Sequence, residues 1–245
     1  MIPAIDVDLG PGTRALFTTR SGGVSTGPHA ELNLGVNVDD EPELVAANFD
    51  RVSTSIGAPL ALGRQVHGAD VLEVPGPPDP GQSFVGTADA LVSAARHVGL
   101  AVVVADCVPV LLADPGRGVI GTAHAGRGGL LAGVVPAVID AMRGLGARDL
   151  RAVVGPAVCG SCYEVPAAMR DEVDAVVPGT ATTTSWGTPA LDLPAGVLAQ
   201  LADGGVEHVE HVAACTFPDE RFYSHRRWSA DGERRGRFAG VVRLA

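Results

Sequence analysis

Two polar residues stand in an apolar run. In Leu100–Ala113, a stretch that otherwise has the composition of a fully buried strand, Asp106 and Cys107 are adjacent. A buried carboxylate costs several kcal/mol unless it is paired or coordinating, so Asp106 calls for a partner. Val119–Ala123 has the pattern of a second strand and leads into His124, which is followed by glycines in GTAHAGRGG. Glycine there lets backbone approach a ligand closely. The sequence between the two runs, DPGRG at Asp114–Gly118, has the composition of a turn. A hairpin through that turn places Cys107 and His124 together at the end remote from it.

Three chemistries compete for this pair. The plainest is a buried free cysteine beside a hydrogen-bonded core histidine. The second is a cysteine nucleophile with His124 as base and Asp106 as the orienting acid, the logic of cysteine hydrolases. The third is a metal site, which needs at least one more ligand. His67, in RQVHGAD, ends the extended segment Leu60–Val66 and precedes a glycine. One thiolate and two imidazoles suit zinc or copper and leave open the position that a catalytic metal requires. The ligands are 40 and 17 positions apart, which matches no finger-type spacing.

Other candidates are weaker. Cys159–Cys162 form a C-x-x-C in GPAVCGSCYEVP, but there is no second such pair and no thioredoxin-like context. The segment is therefore expected to be a substrate-side loop, and Cys215 a structural residue. His29, His97, His208 and His211 lack convergent partners and are expected on the surface or in packing. Arg234, Arg235 and Arg237 are expected on a solvated face. Arg226 and Arg227 follow FYSH, a segment suited to presenting a guanidinium to phosphate or carboxylate. Arg20, before the flexible Ser21–Gly23, is a second anion-binding candidate.

The elements that must position these residues alternate between helix and strand. Ala15–Thr19 is predicted to be a strand, and Pro42–Ile56 a helix with Asp39 or Asp40 near its N-terminus. Glu73–Gly86, with four prolines and three glycines, is predicted to be a loop. Ala90–Ser93 is a predicted strand. Leu131, Val134, Val135, Val138, Ile139 and Met142 recur at helical spacing, with Gly144 as the stop. Arg151–Val154, Val209–Ala213 and Phe238–Leu244 are predicted strands, and Ala167–Val176 and Pro194–Ala202 helices. Pro178–Pro189 is predicted to be a Thr-rich loop. The fold class is mixed α/β, in a single domain over 1–245 with no clear break and a hairpin-plus-helix unit at its centre.

Composition narrows the function. The chain has 245 residues, 46% hydrophobic and 19% charged, enough to bury a sizeable core and too apolar for a disordered segment. Its net charge of −10 argues against nucleic acid as the main partner. No apolar run approaches the roughly 20 residues of a membrane span. The N-terminus lacks the pattern of a secretory signal, and four cysteines are too few for a disulfide framework, so the expected compartment is the reducing cytoplasm. All 18 basic residues are Arg. Schiff-base and lysine-based catalysis are thereby excluded.

The motifs together resemble a known family. TTRSGGVS (Thr18–Ser25), LNLGVNVDD (Leu32–Asp40), Asn48, QVHGADV (Gln65–Val71), ADALVS (Ala88–Ser93), ADCVPVLLAD (Ala105–Asp114), AHAG (Ala123–Gly126), GPAVCGSCYEV (Gly155–Val165), CT (Cys215–Thr216), FYSHRR (Phe222–Arg227) and GR (Gly236–Arg237) are similar to the YfiH-type, laccase-domain family. That family is described as polyphenol oxidases and as purine nucleoside phosphorylases. The order QVHG, ADCVPV, HAG is the specific part. The resemblance implies a metal on His67, Cys107 and His124, with zinc from the phosphorylase description and copper from the oxidase one. It also implies a mixed α/β fold with sheet layers covered by helices, and a nucleoside and phosphate as substrates, with adenosine deamination as a second activity. Asp106 or Asp89 would orient a ligand or shuttle a proton, and Arg20, Asn33, Arg127 and Arg227 would bind substrate. A monomer or homodimer is expected.

One departure concerns substrate preference. The family commonly reads HAGWRG, whereas here Arg127 stands at the Trp position and Gly128 at the following Arg position. Three rival functions remain open: a cysteine-type amidase acting on peptidoglycan precursors, a non-catalytic metal-containing partner of an envelope or cell-division assembly, and a copper-dependent polyphenol oxidase. A multicopper oxidase is disfavoured because seven histidines, three of them already assigned, are few for a separate electron-transfer copper and a His-rich cluster.

Overall fold

A computed structural model describes residues 2–232 and 234–245. In chain order its elements are β1 (Ala4–Val7), β2 (Thr13–Thr18), α1 (Pro42–Ile56), β3 (Leu60–Arg64), β4 (Val71–Glu73), β5 (Phe84–Thr87), β6 (Ala90–Ser93), β7 (Gly99–Val104), β8 (Val108–Asp114), β9 (Val119–Ala125), α2 (Arg127–Ala132), α3 (Val134–Gly144), β10 (Arg151–Val154), α4 (Ala167–Val176), β11 (Ala181–Thr183), β12 (Pro189–Leu191), α5 (Leu193–Asp203), β13 (His208–His211), α6 (His225–Asp231) and β14 (Phe238–Leu244). One six-stranded sheet has the order β1-β2-β14-β7-β3-β5, a second β13-β10-β8-β9-β6-β4, and β11 pairs with β12. Both large sheets mix parallel and antiparallel neighbours. The predicted class, mixed α/β with sheets covered by helices, is the observed one.

Alternating side chains of the strands assemble three apolar layers. Phe17, Leu100, Val102 and Val242 of the first sheet meet Leu91, Leu111, Ala113, Ile120 and Val153 of the second, forming a central core between the sheets. The alternate residues Leu16, Leu62, Ala101 and Val241 turn to the other face, where Val45, Phe49, Val52 and Ile56 of α1 cover them. Val110, Leu112 and Val154 turn outward from the second sheet toward Val134, Val138, Met142 and Val197 of α3 and α5. The resulting order is helix, sheet, sheet, helices. Strands buried on both faces read as near-continuous apolar runs, which is the composition seen at 100–113.

The structure corrects several predicted boundaries. Leu100–Ala113 is two strands, β7 in the first sheet and β8 in the second, and the polar pair Asp106–Cys107 lies in the turn between them. Asp106 has φ +81°, the left-handed region, which aspartate tolerates better than most residues. The long helix expected from Leu131 is divided at Gly133, also at φ +81°, so Leu131 belongs to α2, and α3 runs through Gly144. Helix α1 has the predicted ends, with Pro42 in its first turn and Gly57 as a left-handed cap, but Glu41 is its N-cap residue and no side chain caps it. Asp40 instead accepts bonds from Asn33 and Ser25. The predicted loop 73–86 is shortened by β4 and β5, and the predicted loop 178–189 contains β11. Strand β1 and helix α6 went unpredicted.

Phe17 is fully buried at the centre of the inter-sheet core, and its ring lies against Gly155 and Gly240, where a Cβ would come within 2.3 and 2.8 Å of it. Phe17→Ala removes a ring that both sheets enclose. It is expected to lower the unfolding free energy by about 3–5 kcal/mol, measured by denaturant titration. A loss below about 1 kcal/mol would contradict this packing.

Candidate metal centre

Strands β8 and β9 form the predicted hairpin, with Val108 opposite Ala125 and Pro109 opposite His124. Cys107, one residue before β8, and His124 therefore meet at the end remote from the DPGRG turn. His67 reaches them from the turn between β3 and β4, with φ +62°. Its Nε2 is 3.8 Å from Cys107 Sγ, and its ring packs edge-on against that of His124, with centroids 4.7 Å apart. The potential ligand atoms of His67, Cys107 and His124 all lie within 4.8 Å of one another. A Cβ at Gly126 would come within 2.6 Å of the His67 ring and 3.0 Å of the Cys107 sulfur. A thiol and two imidazoles converge in a space kept open by a glycine, and this donor set fits a tetrahedral metal with one free position.

Asp89 organises the cluster. Its Oδ1 lies 2.8 Å from His124 Nδ1, which directs the other ring nitrogen, Nε2, away from the carboxylate and fixes the tautomer of a metal-binding imidazole. The same carboxylate accepts the backbone N–H groups of Val66, His67 and Gly68 at 3.0, 2.9 and 2.8 Å. These bonds hold the left-handed turn that carries His67. Burial pushes the Asp89 carboxyl up, but the His124 bond and the backbone donors outweigh it and keep it below the ordinary carboxylate range. Burial likewise pushes the Cys107 thiol up, and the two imidazoles bring it below the usual thiol value. Burial alone would lower His124, whereas Cys107 and Asp89 raise it above the usual imidazole range. The pair favours thiolate and imidazolium.

The remaining predicted residues divide by what their side chains touch. Asp106 does not orient His124: its Oδ1 accepts from Thr216 Oγ1 at 2.6 Å and its Oδ2 from the Arg226 N–H at 2.7 Å. The orienting acid of the hydrolase geometry is Asp89. Arg20 donates to the carbonyls of Glu220 and Ala30, and Arg227 to those of Thr216, Phe217 and Phe222. Both guanidiniums, expected as anion ligands, staple loops together in this structure. Asn33 is fully buried and bonds Asp40, Gly35 and the Arg237 N–H, so it too supports a loop. Arg127 does line a cavity beside the cluster.

Two cavities flank the three ligands. One, of about 420 Å³, is bounded by Val36, Arg64, Phe84, His225 and Arg237. The other, of about 810 Å³, is bounded by Arg127, Tyr163, Trp186, Phe217, His225 and Arg226. The Arg226 guanidinium sits 5.0 Å from the centre of the Tyr163 ring, and Trp186 Nε1 donates to Glu164 at 2.6 Å. Arg237 is not on a solvated face, and burial lowers its pKa. Arg234 and Arg235 are paired with Glu220 and Asp39 as surface residues. Sequence analysis missed His225 and Arg237. The FYSHRR and GR segments held the signal, but only the return of α6 and β14 toward the cluster brings it out. His29, expected on the surface or in packing, is buried against the Arg235 carbonyl.

The cysteines expected in a substrate-side loop, Cys159 and Cys162, and the one expected to be structural, Cys215, also converge. Cys159, Cys162 and Cys215 carry sulfurs within 4.8 Å of one another, and none is in a disulfide. Burial, together with the neighbouring cysteines, pushes the Cys162 thiol up to about 12.

Residues 14–245 match the family model described as multi-copper polyphenol oxidoreductase laccase. The chain belongs to that family. Members resembling it carry a different functional name. The protein named purine nucleoside phosphorylase ORF3 from Streptomyces griseus is 50% identical over 93% of both chains. Purine nucleoside phosphorylase Rv2149c from Mycobacterium tuberculosis is 47% identical over 94% of this chain and 91% of its own. Among solved structures of this laccase-like family, YlmD from Geobacillus stearothermophilus superposes with a TM-score of 0.86 at 31% identity, covering 97% of this chain and 94% of its own. Neisseria meningitidis protein NMB0706 gives 0.85 at 32% identity and 98% of both. The departure in the HAG motif has a local meaning here: a Cβ at Gly128 would meet the His67 carbonyl oxygen at 2.8 Å. A side chain at this position requires the His67 turn to move.

Replacing Asp89 by Asn keeps one acceptor oxygen but removes the charge and sets an NH2 donor against either the His124 and His67 groups or the Val66 and Gly68 amides. Asp89→Asn is expected to weaken metal binding by about 10–100-fold in a chelator competition. Affinity within twofold of the parent would contradict the role given to Asp89. In metal-free protein, Cys107 is expected to alkylate at pH values well below the ordinary thiol range of about 8.5, mapped by peptide mass analysis. An ordinary thiol profile at Cys107 would refute the thiolate–imidazolium pair.

Proposed function

We propose that the protein is a zinc-dependent purine nucleoside phosphorylase, taking inosine, adenosine or guanosine and phosphate to free base and ribose 1-phosphate. The observation that carries the reading is the placement of the His67–Cys107–His124 cluster between two cavities that offer both aromatic surface and guanidinium groups. The names of the relatives agree with it.

Arg127 and Arg226 supply fixed positive charge for phosphate, in the only form this lysine-free chain has apart from histidine. Phe84 and Trp186, both partly exposed at the cavity walls, offer faces for a purine. His67, Cys107 and His124 would hold the metal, which would supply Lewis-acid chemistry there when bound. Asp89 keeps His124 in one tautomer and holds the His67 turn, so two ligands are aimed before substrate arrives. In the reaction a phosphate oxygen forms a bond to the sugar C1′ as the C1′–N9 bond breaks. The electron pair leaves with the purine, and the proton of hydrogen phosphate accounts for the one gained by the free base. Adenosine deamination is a second activity of the same site, in which water attacks C6 and ammonia leaves. The partners are small molecules, neither nucleic acid nor membrane, in a cytoplasmic monomer or homodimer. No helix among the described residues is long and apolar enough to cross a membrane.

A second reading has its own observation. Cys107, His124 and Asp89 stand in the order nucleophile, base and orienting acid, so a cysteine-type hydrolase or amidase acting on peptidoglycan precursors fits the same three residues. Copper in the cluster would support a slow phenol oxidation. A multicopper relay is not favoured, because among the described residues the two clusters of three or more potential ligands contain only two histidines between them.

Zinc-loaded protein given inosine or adenosine with phosphate is expected to release base and ribose 1-phosphate in equal amounts. Arg127→Ala or Arg226→Ala is expected to raise the KM for phosphate about 10–100-fold, the range of a lost charge-assisted bond. No base release by fully metallated enzyme would sink the phosphorylase reading. Cys107 alkylation that chelator leaves unchanged, with precursor hydrolysis intact, would favour the hydrolase.

A further inference from the structure

We propose that Cys159, Cys162 and Cys215 form a second metal site, separate from the His67–Cys107–His124 centre, which takes a thiophilic d¹⁰ cation and ties together two loops beside the cavity. The proposal does not depend on which reaction the protein catalyses.

The three sulfurs come from two segments that backbone bonds already align. The 159–163 turn is closed by the N–H groups of Cys162 and Tyr163 donating to the Cys159 carbonyl at 2.9 and 3.0 Å. Cys215 is brought to it by a parallel bridge with Ala157, by the Thr216 N–H donating to the Ala157 carbonyl at 3.0 Å, and by the Ala157 N–H donating to the Ala214 carbonyl at 3.2 Å. The Cys159 N–H also points at Cys215 Sγ, 3.3 Å away.

The spacing suits a metal. Zinc–thiolate bonds of about 2.3 Å at tetrahedral angles put sulfurs roughly 3.8 Å apart, and these sulfurs lie within 4.8 Å of one another with no disulfide between them. Small side-chain rotations close the difference. Soft thiolates select zinc or cuprous copper over harder cations, zinc with a water in the fourth position and copper(I) with three sulfurs alone. All three cysteines are half-buried, in contrast to the fully buried positions where free cysteine serves as a small apolar filler.

The site's place in the fold gives it a consequence. Val158, next to Cys159, donates its N–H to the Asp106 carbonyl at 3.0 Å, and Thr216, next to Cys215, donates its hydroxyl to the Asp106 carboxylate at 2.6 Å. Asp106 immediately precedes Cys107, and Tyr163 immediately follows Cys162. A metal bridging these loops fixes the surroundings of the Cys107 thiol from outside.

The chain has four cysteines, so Cys107→Ser leaves only these three. Reduced, metal-free, full-length Cys107→Ser protein titrated with Co²⁺ under anaerobic conditions is expected to show a near-ultraviolet thiolate-to-cobalt charge-transfer band saturating at one equivalent. Wild type is expected to bind one equivalent more than Cys215→Ser. Cys159→Ser serves in the same comparison if Cys215→Ser does not fold. Titrating Cys107→Ser with Zn²⁺ and with Cu⁺, each against a chromophoric chelator, identifies which of the two cations it retains at one equivalent. No thiolate–cobalt band in folded Cys107→Ser, or equal stoichiometry in wild type and a folded cluster variant, overturns the proposal. Three free thiols that bind neither Zn²⁺ nor Cu⁺ but close to a Cys159–Cys162 disulfide in air also overturn it. Failure of phosphorolysis by metal-loaded enzyme leaves these stoichiometries unchanged.

Discussion

The Asp89 carboxylate is nearly inaccessible to solvent, and both histidines of the candidate centre are placed by it. Left bare, such a group would cost several kcal/mol; here it accepts three backbone N–H groups and faces the His124 imidazole. Those bonds settle two things at once. They fix the ring of a ligand on β9, and they hold His67, 57 positions earlier in the chain, at a positive φ that a non-glycine residue adopts only under constraint. Asp89 itself is placed by the adjoining strand β6, whose pairing with β9 starts at Ala90 opposite Ala123. The second sheet thereby positions the carboxylate and one of its two histidines in the same register.

The third ligand depends on a different constraint. Cys107 lies where the chain leaves the first sheet for the second, and a crossing between two packed sheets must expose backbone groups that neither ladder satisfies. At Asp106 the chain turns left-handed, its carbonyl accepts the Val158 N–H, and its carboxylate ties the crossing to Thr216 and the start of α6. Arg20 and Arg227 serve similar ends, since their guanidiniums satisfy loop carbonyls around the cavity. Charge that the sequence offers for substrate goes in part to holding irregular loops, and the arginines that line the two cavities are Arg64, Arg127, Arg226 and Arg237.

The sequence made the hairpin legible because its turn composition and flanking apolar runs are local signals, and the pairing of Cys107 with His124 followed directly. Helix α1 was legible for the same reason, with an apolar stripe between a proline and a glycine. His67 was legible only as a residue type at the end of an extended segment. Its arrival at the centre is set by Asp89, and no local pattern records a bond between residues 22 positions apart. The split of Leu100–Ala113 was hidden because strands covered on both faces have no alternation, so one strand and two consecutive ones look alike. Cys215 could not be joined to the C-x-x-C pair from sequence because a bridge to Ala157 brings them together across the chain.

Two names attach to the relatives of this chain, an oxidase and a phosphorylase, and the zinc-dependent phosphorylase reading proposed for it requires that the three ligands hold one metal. A diffraction map at the zinc absorption edge, from crystals of the zinc-loaded wild-type protein, tests that requirement directly. The account predicts an anomalous peak about 2.0–2.3 Å from His67 Nε2, Cys107 Sγ and His124 Nε2, with His124 Nδ1 still bonded to Asp89. An empty position between those three atoms at full zinc loading, or a His124 ring turned away from Asp89, would contradict it.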